Sequence, residues 1–399
     1  AIYMSGKLTF GGRYVVYEDG VLGEGSFSVV YRGVDLDTSA DVALKIYRNS
    51  QERSTVTSFR QNFEAMEALC SARGEPTNET VRRSSNGSFE IEALREELEA
   101  LSPGRAAALD PVIEHTNLKM CIVQMLDYSR GSDGKPGKDE HGVLYLVMEL
   151  GRETLNDWFG QLSKEGKTLS ADQLRELQWT LVSIVAGLHT KGFVHLDIKP
   201  INIVRFGLGA RPQWKLIDFD GAARSGERID LDNVTLTPKY MPPEIASTFG
   251  DDHKERDLRL SRRMDVWSVG MCAVEAVFLQ PILGPWFEEW RQETGSDDKF
   301  YLWLADFDTD PVLSGDIAAH LSEIDPDMCD LLQGMLTKDP EKRLCIASCW
   351  RHRWFRPIRD AVLGRLAARP RESTGHSLFS RARRSARCSS GGQSSAVCA

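Results

Sequence analysis

Two short segments in the second half of the chain place four polar side chains where phosphoryl transfer would use them. VHLDIKPIN carries Asp197, Lys199 and Asn202, and LIDFDG carries Asp218. Phosphoryl transfer needs a carboxylate that orients the attacking hydroxyl, a cation near the phosphate and oxygen ligands for Mg²⁺. Asp197 would be that carboxylate and Lys199 that cation. Asn202 and Asp218 would be the metal ligands, so the sequence predicts one site rather than unrelated turns.

A glycine-containing turn near the start of the chain could hold phosphate groups. VLGEGSFSVVYRG at 21–33 places Gly23 and Gly25 between two strand-like runs, where bare backbone could approach phosphate oxygens and donate N–H groups. Ser28 replaces the third glycine of a dinucleotide-binding fingerprint, and strands flank the turn on both sides, which argues against that fold. The following VALK run ends in Lys45, whose ammonium would neutralise α- and β-phosphates.

The pattern of apolar residues predicts a β-rich unit at the start of the chain. Residues from Tyr14 to about Tyr47 alternate between apolar and polar types, which is typical of strands. The runs 122–128 and 143–150 predict two further strands, and the polar stretch 129–142 predicts a surface loop between them.

Helices are predicted on both sides of these later strands. Apolar residues recur at helical spacing in 54–72 and in 89–101. After Leu150 the pattern becomes helical throughout, and Ser170 with Gln173 predicts a capping box at the start of a long helix. The sequence therefore predicts a helix-rich second unit.

Composition limits the classes of partner. The 399 residues carry a formal charge of -9, which argues against nucleic acid or an anionic membrane as the main partner. The longest apolar stretch, 266–283, is interrupted by Glu275 and Pro281, so no membrane span is predicted. The 8 cysteines include no CxxC pair, which favours reduced thiols and a cytoplasmic location. The chain begins at Ala1 rather than at methionine, which indicates a truncated N-terminus.

From Tyr14 to Phe355 the sequence resembles the eukaryotic protein kinase family. The resemblance rests on the glycine turn and on VALK, HLDIKPIN and DFD, and it continues through LTPKYMPPE, DVWSVG and DPEKRL. It implies an α+β bilobal fold and an enzyme that transfers the γ-phosphate of Mg-ATP to a serine or threonine hydroxyl of a protein substrate. The implied domains are an N-terminal extension at 1–13 and a kinase domain at 14–356, with an N-lobe at 14–148 and a C-lobe at 152–356. Independently, the shift in composition to Ser, Arg and Gly predicts a basic Ser/Arg-rich disordered tail at 369–399.

The resemblance also implies roles for residues outside the two catalytic segments. Thr237 corresponds to the substrate-loop threonine, which with Lys199 indicates the serine/threonine type. Glu244 corresponds to the last residue of the family's APE motif and Arg343 to its ion-pair partner, while Asp265 would brace the catalytic loop.

Contacts to ATP follow from the same resemblance. Met148 would be the gatekeeper, with Glu149 to Gly151 as the hinge that contacts adenine. The full implied set is Leu22, Gly23, Glu24, Gly25, Ser26, Ser28, Val30, Ala43, Lys45, Glu64, Met148, Glu149 and Gly151.

Glu64 belongs to this set because the family pairs its lysine with a helical glutamate. We predict Glu64, on the 54–72 helix, as the partner of Lys45, and Glu67 and Glu97 are the alternatives. All three could equally be glutamates on a solvated helix face.

Two residues depart from the family pattern. Leu196 replaces the arginine that holds an activation-loop phosphate, so we do not expect activation by loop phosphorylation. Asp220 replaces the glycine of DFG and adds a carboxylate beside Asp218, where it could bind metal, restrain the loop or weaken activity. We favour an active kinase over a pseudokinase-like scaffold that binds nucleotide, and over a third hypothesis in which the lobes present the basic tail to an acidic partner.

Overall fold

The computed structural model describes residues 2–4, 7–70, 121–207, 213–228, 236–249, 258–309 and 311–367. The predicted 89–101 helix, Glu97 and the predicted tail at 369–399 lie outside the described residues.

The described N-terminal strands form one antiparallel sheet of seven strands, in the order β1-β2-β3-β4-β5-β7-β6. Lys45 lies in β5, in register with Val30 on β4 and with Leu146 on β7, so strands flank it on both sides. The strands are β1 (Ile2–Met4), β2 (Lys7–Phe10), β3 (Tyr14–Glu24), β4 (Ser28–Asp35), β5 (Asp41–Tyr47), β6 (Met125–Tyr128) and β7 (Leu144–Glu149).

Helix α1 (Arg53–Cys70) packs on this sheet through one face. Its buried apolar residues include Phe59, Phe63 and Met66, and Phe59 makes an edge-on ring contact with Tyr47 of β5. Asn62 lies on the same buried face and is only 1% exposed. The helix predicted for 54–72 is confirmed, and its buried face determines which of its side chains can reach the sheet.

The second unit is mainly helical. The helices are α2 (Leu155–Lys164), α3 (Ala171–Thr190), α4 (Pro243–Ala246), α5 (Arg262–Phe278), α6 (Gly284–Thr294), α7 (Asp298–Ala305), α8 (Gly315–Ile324), α9 (Pro326–Met335), α10 (Ile346–Arg351) and α11 (Arg356–Ala367). The short strands are β8 (Glu153–Thr154), β9 (Phe193–Val194), β10 (Ile203–Phe206), β11 (Gln213–Leu216) and β12 (Ala223–Arg224). They form the small sheets β11-β10-β8 and β12-β9.

Local sequence explains how the long helix α3 begins. The Ser170 side chain accepts a hydrogen bond from the backbone N–H of Gln173, and the Gln173 side chain accepts one from the backbone N–H of Ser170. These two bonds satisfy backbone donors that the first turn leaves unpaired, as the predicted capping box requires. Just after the helix, Gly192 has a φ of 78°, which favours glycine.

Helix α5 lies at the centre of the helical unit. Every residue from Met264 to Val277 is buried, including the charged Asp265 and Glu275. A helix that is buried on all sides belongs to the core of a large domain. The predicted α+β fold, with a small β-rich lobe and a larger helical lobe, is confirmed.

Among the described residues, no helix combines the length and the apolar character that crossing a membrane would require.

Candidate active site

The loop after β9 carries Asp197, and backbone hydrogen bonds to Asp265 of helix α5 hold this loop in place. Asp265 is completely buried, and its carboxylate accepts backbone N–H bonds from His195 at 2.9 Å and from Leu196 at 3.1 Å. His189 Nε2 lies 2.9 Å from the same carboxylate. Leu196 has a φ of 70°, a conformation that costs energy for a side chain with a Cβ. The Asp265 bonds compensate for this cost and hold the loop in one shape.

The Asp197 carboxylate has a fixed orientation because three side chains bind it. Thr237 Oγ1 donates to Asp197 Oδ1 at 2.9 Å, and Lys199 Nζ lies 2.7 Å from Oδ2. Asn202 Nδ2 donates to Oδ2 at 3.1 Å and to the Asp197 backbone carbonyl at 2.8 Å. Lys199 Nζ also donates to Thr237 Oγ1 at 2.8 Å, so Thr237 connects the cation and the carboxylate.

Lys45 is nearly buried, with two carboxylates beside its ammonium group. Its Nζ lies 2.5 Å from Asp218 Oδ1 and 2.7 Å from Asp220 Oδ2. Burial alone would lower the pKa of Lys45, but the two carboxylates outweigh burial and raise it. Burial likewise opposes the charged form of Asp218, yet Lys45 holds the pKa of Asp218 below its usual value. Lys45 and Asp218 therefore form a charged pair at the cleft.

Among the described residues, Asp220 binds three side chains, and all three come from the N-terminal sheet or from helix α1. Tyr47 Oη donates to Asp220 Oδ1 at 3.0 Å, and Asn62 Nδ2 of helix α1 donates to the same oxygen at 2.6 Å. The other oxygen, Oδ2, faces Lys45. Burial and the neighbouring Asp218 raise the pKa of Asp220, while Lys45 opposes them.

The glycine turn joins β3 to β4. The backbone N–H of Gly25 donates to the Ser28 carbonyl at 2.8 Å and closes the turn, which contains Ser26. A Cβ built at Gly23 would meet no atom within 4 Å, so the space above the backbone is open to a ligand. Ser28 is 3% exposed, whereas Leu22 is 52% exposed beside the turn. This geometry suits backbone contact with phosphate.

The predicted hinge, residues 149–151, begins at the last residue of β7 and lies beside the small sheet of the helical lobe. Met148 is buried and pairs across the sheet with Ala43 of β5. The Glu149 carboxylate lies 2.5 Å from Lys215 Nζ, so this side chain points to β11. A Cβ built at Gly151 would overlap the side chain of Val204, which explains why glycine occupies this position.

Two residues of the site suit Mg²⁺. Asn202 provides an amide oxygen, and Asp218 provides a carboxylate that is 38% exposed. Mg²⁺ prefers oxygen ligands and keeps several of its waters, so a small set of protein ligands is sufficient. Within the described ranges, no cluster of three His, Cys, Asp or Glu side chains could hold a metal ion by itself.

Residues 112–355, more than half of the chain, match the family described as protein kinase domain. The chain belongs to the protein kinase family.

Individual relatives agree with this membership. Mitogen-activated protein kinase KSS1 of Saccharomyces cerevisiae is 28% identical over 273 residues, which cover 62% of this kinase and 68% of the relative. Serine/threonine-protein kinase ULK3 of Homo sapiens is 28% identical over 237 residues, 58% of this kinase and 42% of the relative. Serine/threonine-protein kinase dkf-1 of Caenorhabditis briggsae is 24% identical over 363 residues, 88% of this kinase and 37% of the relative. The matches to the last two thus span less than half of those proteins.

The partner of Lys45 differs from the prediction. Glu64 and Glu67 are both exposed on helix α1, while Asp218 and Asp220 bind the lysine. The reason is the helical phase, because Asn62 is the residue that shares the buried face with Phe59 and Met66. The prediction that Glu64 holds the lysine is therefore corrected.

The sequence interpretation of the kinase also missed the partners of Asp220. Asn62 interrupts an otherwise apolar helical stripe, and a polar residue at such a position needs a partner. That signal could have identified Asn62. Tyr47 gave no comparable signal, because an aromatic residue at the end of a strand is typical of a core.

Proposed function

We propose that this kinase transfers the γ-phosphate of Mg-ATP to a serine or threonine hydroxyl of a protein. The observation that carries the proposal is the contact of Asp197 with both Lys199 and Thr237, because it brings base, cation and substrate loop together. Serine/threonine kinases among the relatives support the same type.

Each group has a task in the proposed transfer. Asp197 orients the attacking hydroxyl and accepts its proton as the oxygen bonds to the γ-phosphorus and the bond to the ADP oxygen breaks. Lys199 stabilises negative charge on the transferred group, and Lys45 binds the other phosphates. Asn202 and Asp218 would hold magnesium, which neutralises the phosphate charge when it is bound. A protein substrate is the partner that this chemistry requires, and a cytoplasmic location stays a prediction.

The transfer can be tested with labelled ATP and a generic protein substrate. Wild-type protein should label serine or threonine, and Asp197→Asn and Lys45→Met should lose the signal. Lys164→Met on the exposed end of α2 is the matched control and should keep it. Equal labelling by wild type and by both site variants would contradict the proposal.

A nucleotide-binding scaffold is the second candidate. Asp220 and Asp218 already neutralise the lysine that would contact phosphate, and this observation favours a protein that binds nucleotide with little turnover. ATP binding to the wild type without any labelling would support the scaffold, and labelling that depends on Asp197 would exclude it.

A further inference from the structure

Within the part of the chain that the structure describes, the two carboxylates that bind Lys45 lie on one short segment. Asp218 and Asp220 come from the same DFD motif, at 2.5 and 2.7 Å from the lysine Nζ. The family resemblance predicts that one carboxylate partner of this lysine is a glutamate on a helix. Here helix α1, which packs on the sheet and contacts Tyr47 of the same strand, contributes no carboxylate to the lysine among the described residues.

Helix α1 instead faces the site with an amide. Asn62 is 1% exposed, and its Nδ2 donates to Asp220 Oδ1 at 2.6 Å. An amide carries no charge, so Asn62 cannot neutralise a lysine. It can orient a carboxylate that neutralises the lysine, and its hydrogen bond to Asp220 has this effect.

The Asp220 carboxylate is fixed at both oxygens. Oδ1 accepts from Asn62 and from the Tyr47 hydroxyl, and Oδ2 binds Lys45. Tyr47 and Lys45 lie on the same strand, and Tyr47 is also in ring contact with Phe59 of helix α1. The Asp220 side chain is 21% exposed, and these partners hold its carboxylate in place because moving it would leave charges and donors unpaired.

We propose that Asp220 is the positioning residue that holds Lys45 for phosphate binding, in the place of a helical glutamate, with Asn62 and Tyr47 orienting its carboxylate. The proposal rests on the proposed function in one respect, the binding of phosphate by Lys45. Asp218 also binds Lys45, and because Asp220 gives the lysine a second carboxylate, Asp218 can bind a metal without leaving the lysine unpaired. The position of helix α1 also becomes coupled to the DFD segment, because Asn62 and Asp220 bind each other directly.

The kinetic test transfers the carboxylate from position 220 to position 62 on helix α1. Asp220→Gly should lower kcat about tenfold or more, because Lys45 loses a charged partner, and should leave the KM for the protein substrate unchanged. Asn62→Glu combined with Asp220→Gly should recover most of kcat, because glutamate is one methylene longer than asparagine and can reach the lysine. Asn62→Glu alone should lower kcat, because two carboxylates would then compete for one site.

A glutamate on the exposed face of the same helix is the matched control. Arg60 is exposed on α1, so Arg60→Glu combined with Asp220→Gly should stay as slow as Asp220→Gly alone. Recovery by Arg60→Glu would overturn the proposal, because it would show that any added negative charge suffices. An Asp220→Gly protein with wild-type kcat would also overturn the proposal. So would an Asn62→Glu/Asp220→Gly protein that has the melting temperature of the wild type but does not recover kcat.

A binding measurement separates this proposal from the proposed function. ATP affinity is measured without metal, in EDTA, for Lys45→Met in three backgrounds. The lysine substitution should weaken binding in the wild type and in the Asn62→Glu/Asp220→Gly background, and should have little effect in the Asp220→Gly background. An equal loss of ATP affinity in all three backgrounds, or no loss of ATP affinity in the wild type, would overturn the proposal. The result is readable even if the wild type transfers no phosphate.

The same variants test a metal role for Asp220. If Asp220→Gly mainly raises the Mg²⁺ concentration needed for half-maximal rate, and Asn62→Glu does not reverse this, Asp220 acts on the metal and the proposal is overturned.

Discussion

Arg343 and Glu244 form an ion pair with two hydrogen bonds inside the helical lobe. Arg343 Nη1 donates to Glu244 Oε1 at 2.8 Å, and Nη2 donates to Oε2 at 2.7 Å. Arg343 is completely buried, and it also donates to the backbone carbonyls of Thr337, Arg263 and Lys338. One side chain thus joins helix α4 to the segment between α9 and α10.

Arg343→Leu should destabilise the protein by about 3–5 kcal/mol, because it leaves the Glu244 carboxylate buried without its cation. Thermal or urea unfolding measures this change. Arg353→Leu is the control: Arg353 is 53% exposed and pairs with Asp327 and Asp330, so its loss should cost below about 1 kcal/mol. Equal destabilisation by the two substitutions would contradict the expected role of burial.

Glu275 should make stability depend on pH. Burial raises the pKa of Glu275 from 4.5 to about 7, despite a hydrogen bond from Tyr240. The folded protein then binds a proton that the unfolded chain releases, so stability falls as pH rises from 4.5 to 7. Glu275→Gln should remove this loss and leave the variant more stable than the wild type above pH 7, by on the order of 3 kcal/mol.

Urea unfolding at several pH values measures the difference between Glu275→Gln and the wild type, in which the contributions of other groups cancel. Glu288→Gln is the control, since Glu288 is 52% exposed and pairs with Lys239 at the surface. A difference between Glu275→Gln and wild type that stays constant with pH would disprove the prediction.

Thr237 should affect turnover through its hydroxyl. Thr237→Val keeps the shape but removes the bonds to Asp197 and Lys199, so kcat should fall about ten- to a hundredfold. Thr237→Ser keeps the hydroxyl and should remain near the wild type. Steady-state kinetics with ATP and protein substrate checks both, and a Thr237→Val protein as fast as Thr237→Ser would rule out this role.

Gly151 should tolerate no side chain while Val204 is present. Gly151→Ala would place a Cβ into the Val204 side chain and should cost about 1–3 kcal/mol, with a weaker ATP affinity because the hinge is displaced. Val204→Ala makes room, so the double variant should be more stable than the sum of the single changes predicts. Strict additivity in thermal unfolding would contradict the overlap.

Local patterns were sufficient for the elements that build the lobes. The capping box at Ser170 and Gln173 depends on residues three positions apart, so the sequence could predict where α3 begins. The four residues of the catalytic segments were also predicted from spacing, because they lie in two short stretches of the chain.

Contacts between distant segments were not predictable in the same way. Asp220 is separated from Tyr47 by 173 residues and from Asn62 by 158 residues, and no local pattern connects them. The family resemblance predicts a helical glutamate, Glu64, as the partner of Lys45, whereas the rotation of α1 on the sheet buries Asn62 and leaves Glu64 exposed. Burial determined which side chain faces the lysine, and burial depends on the tertiary packing of the helix.

Helix α5 carries Asp265 in its first turn and Glu275 near its other end. Asp265 fixes the loop of Asp197, and Glu275 accepts a hydrogen bond from the Tyr240 hydroxyl at 2.6 Å. The rise of an α-helix separates the two acids by about 15 Å along the axis. This buried helix therefore fixes the distance between the loop that carries Asp197 and the segment that carries Tyr240.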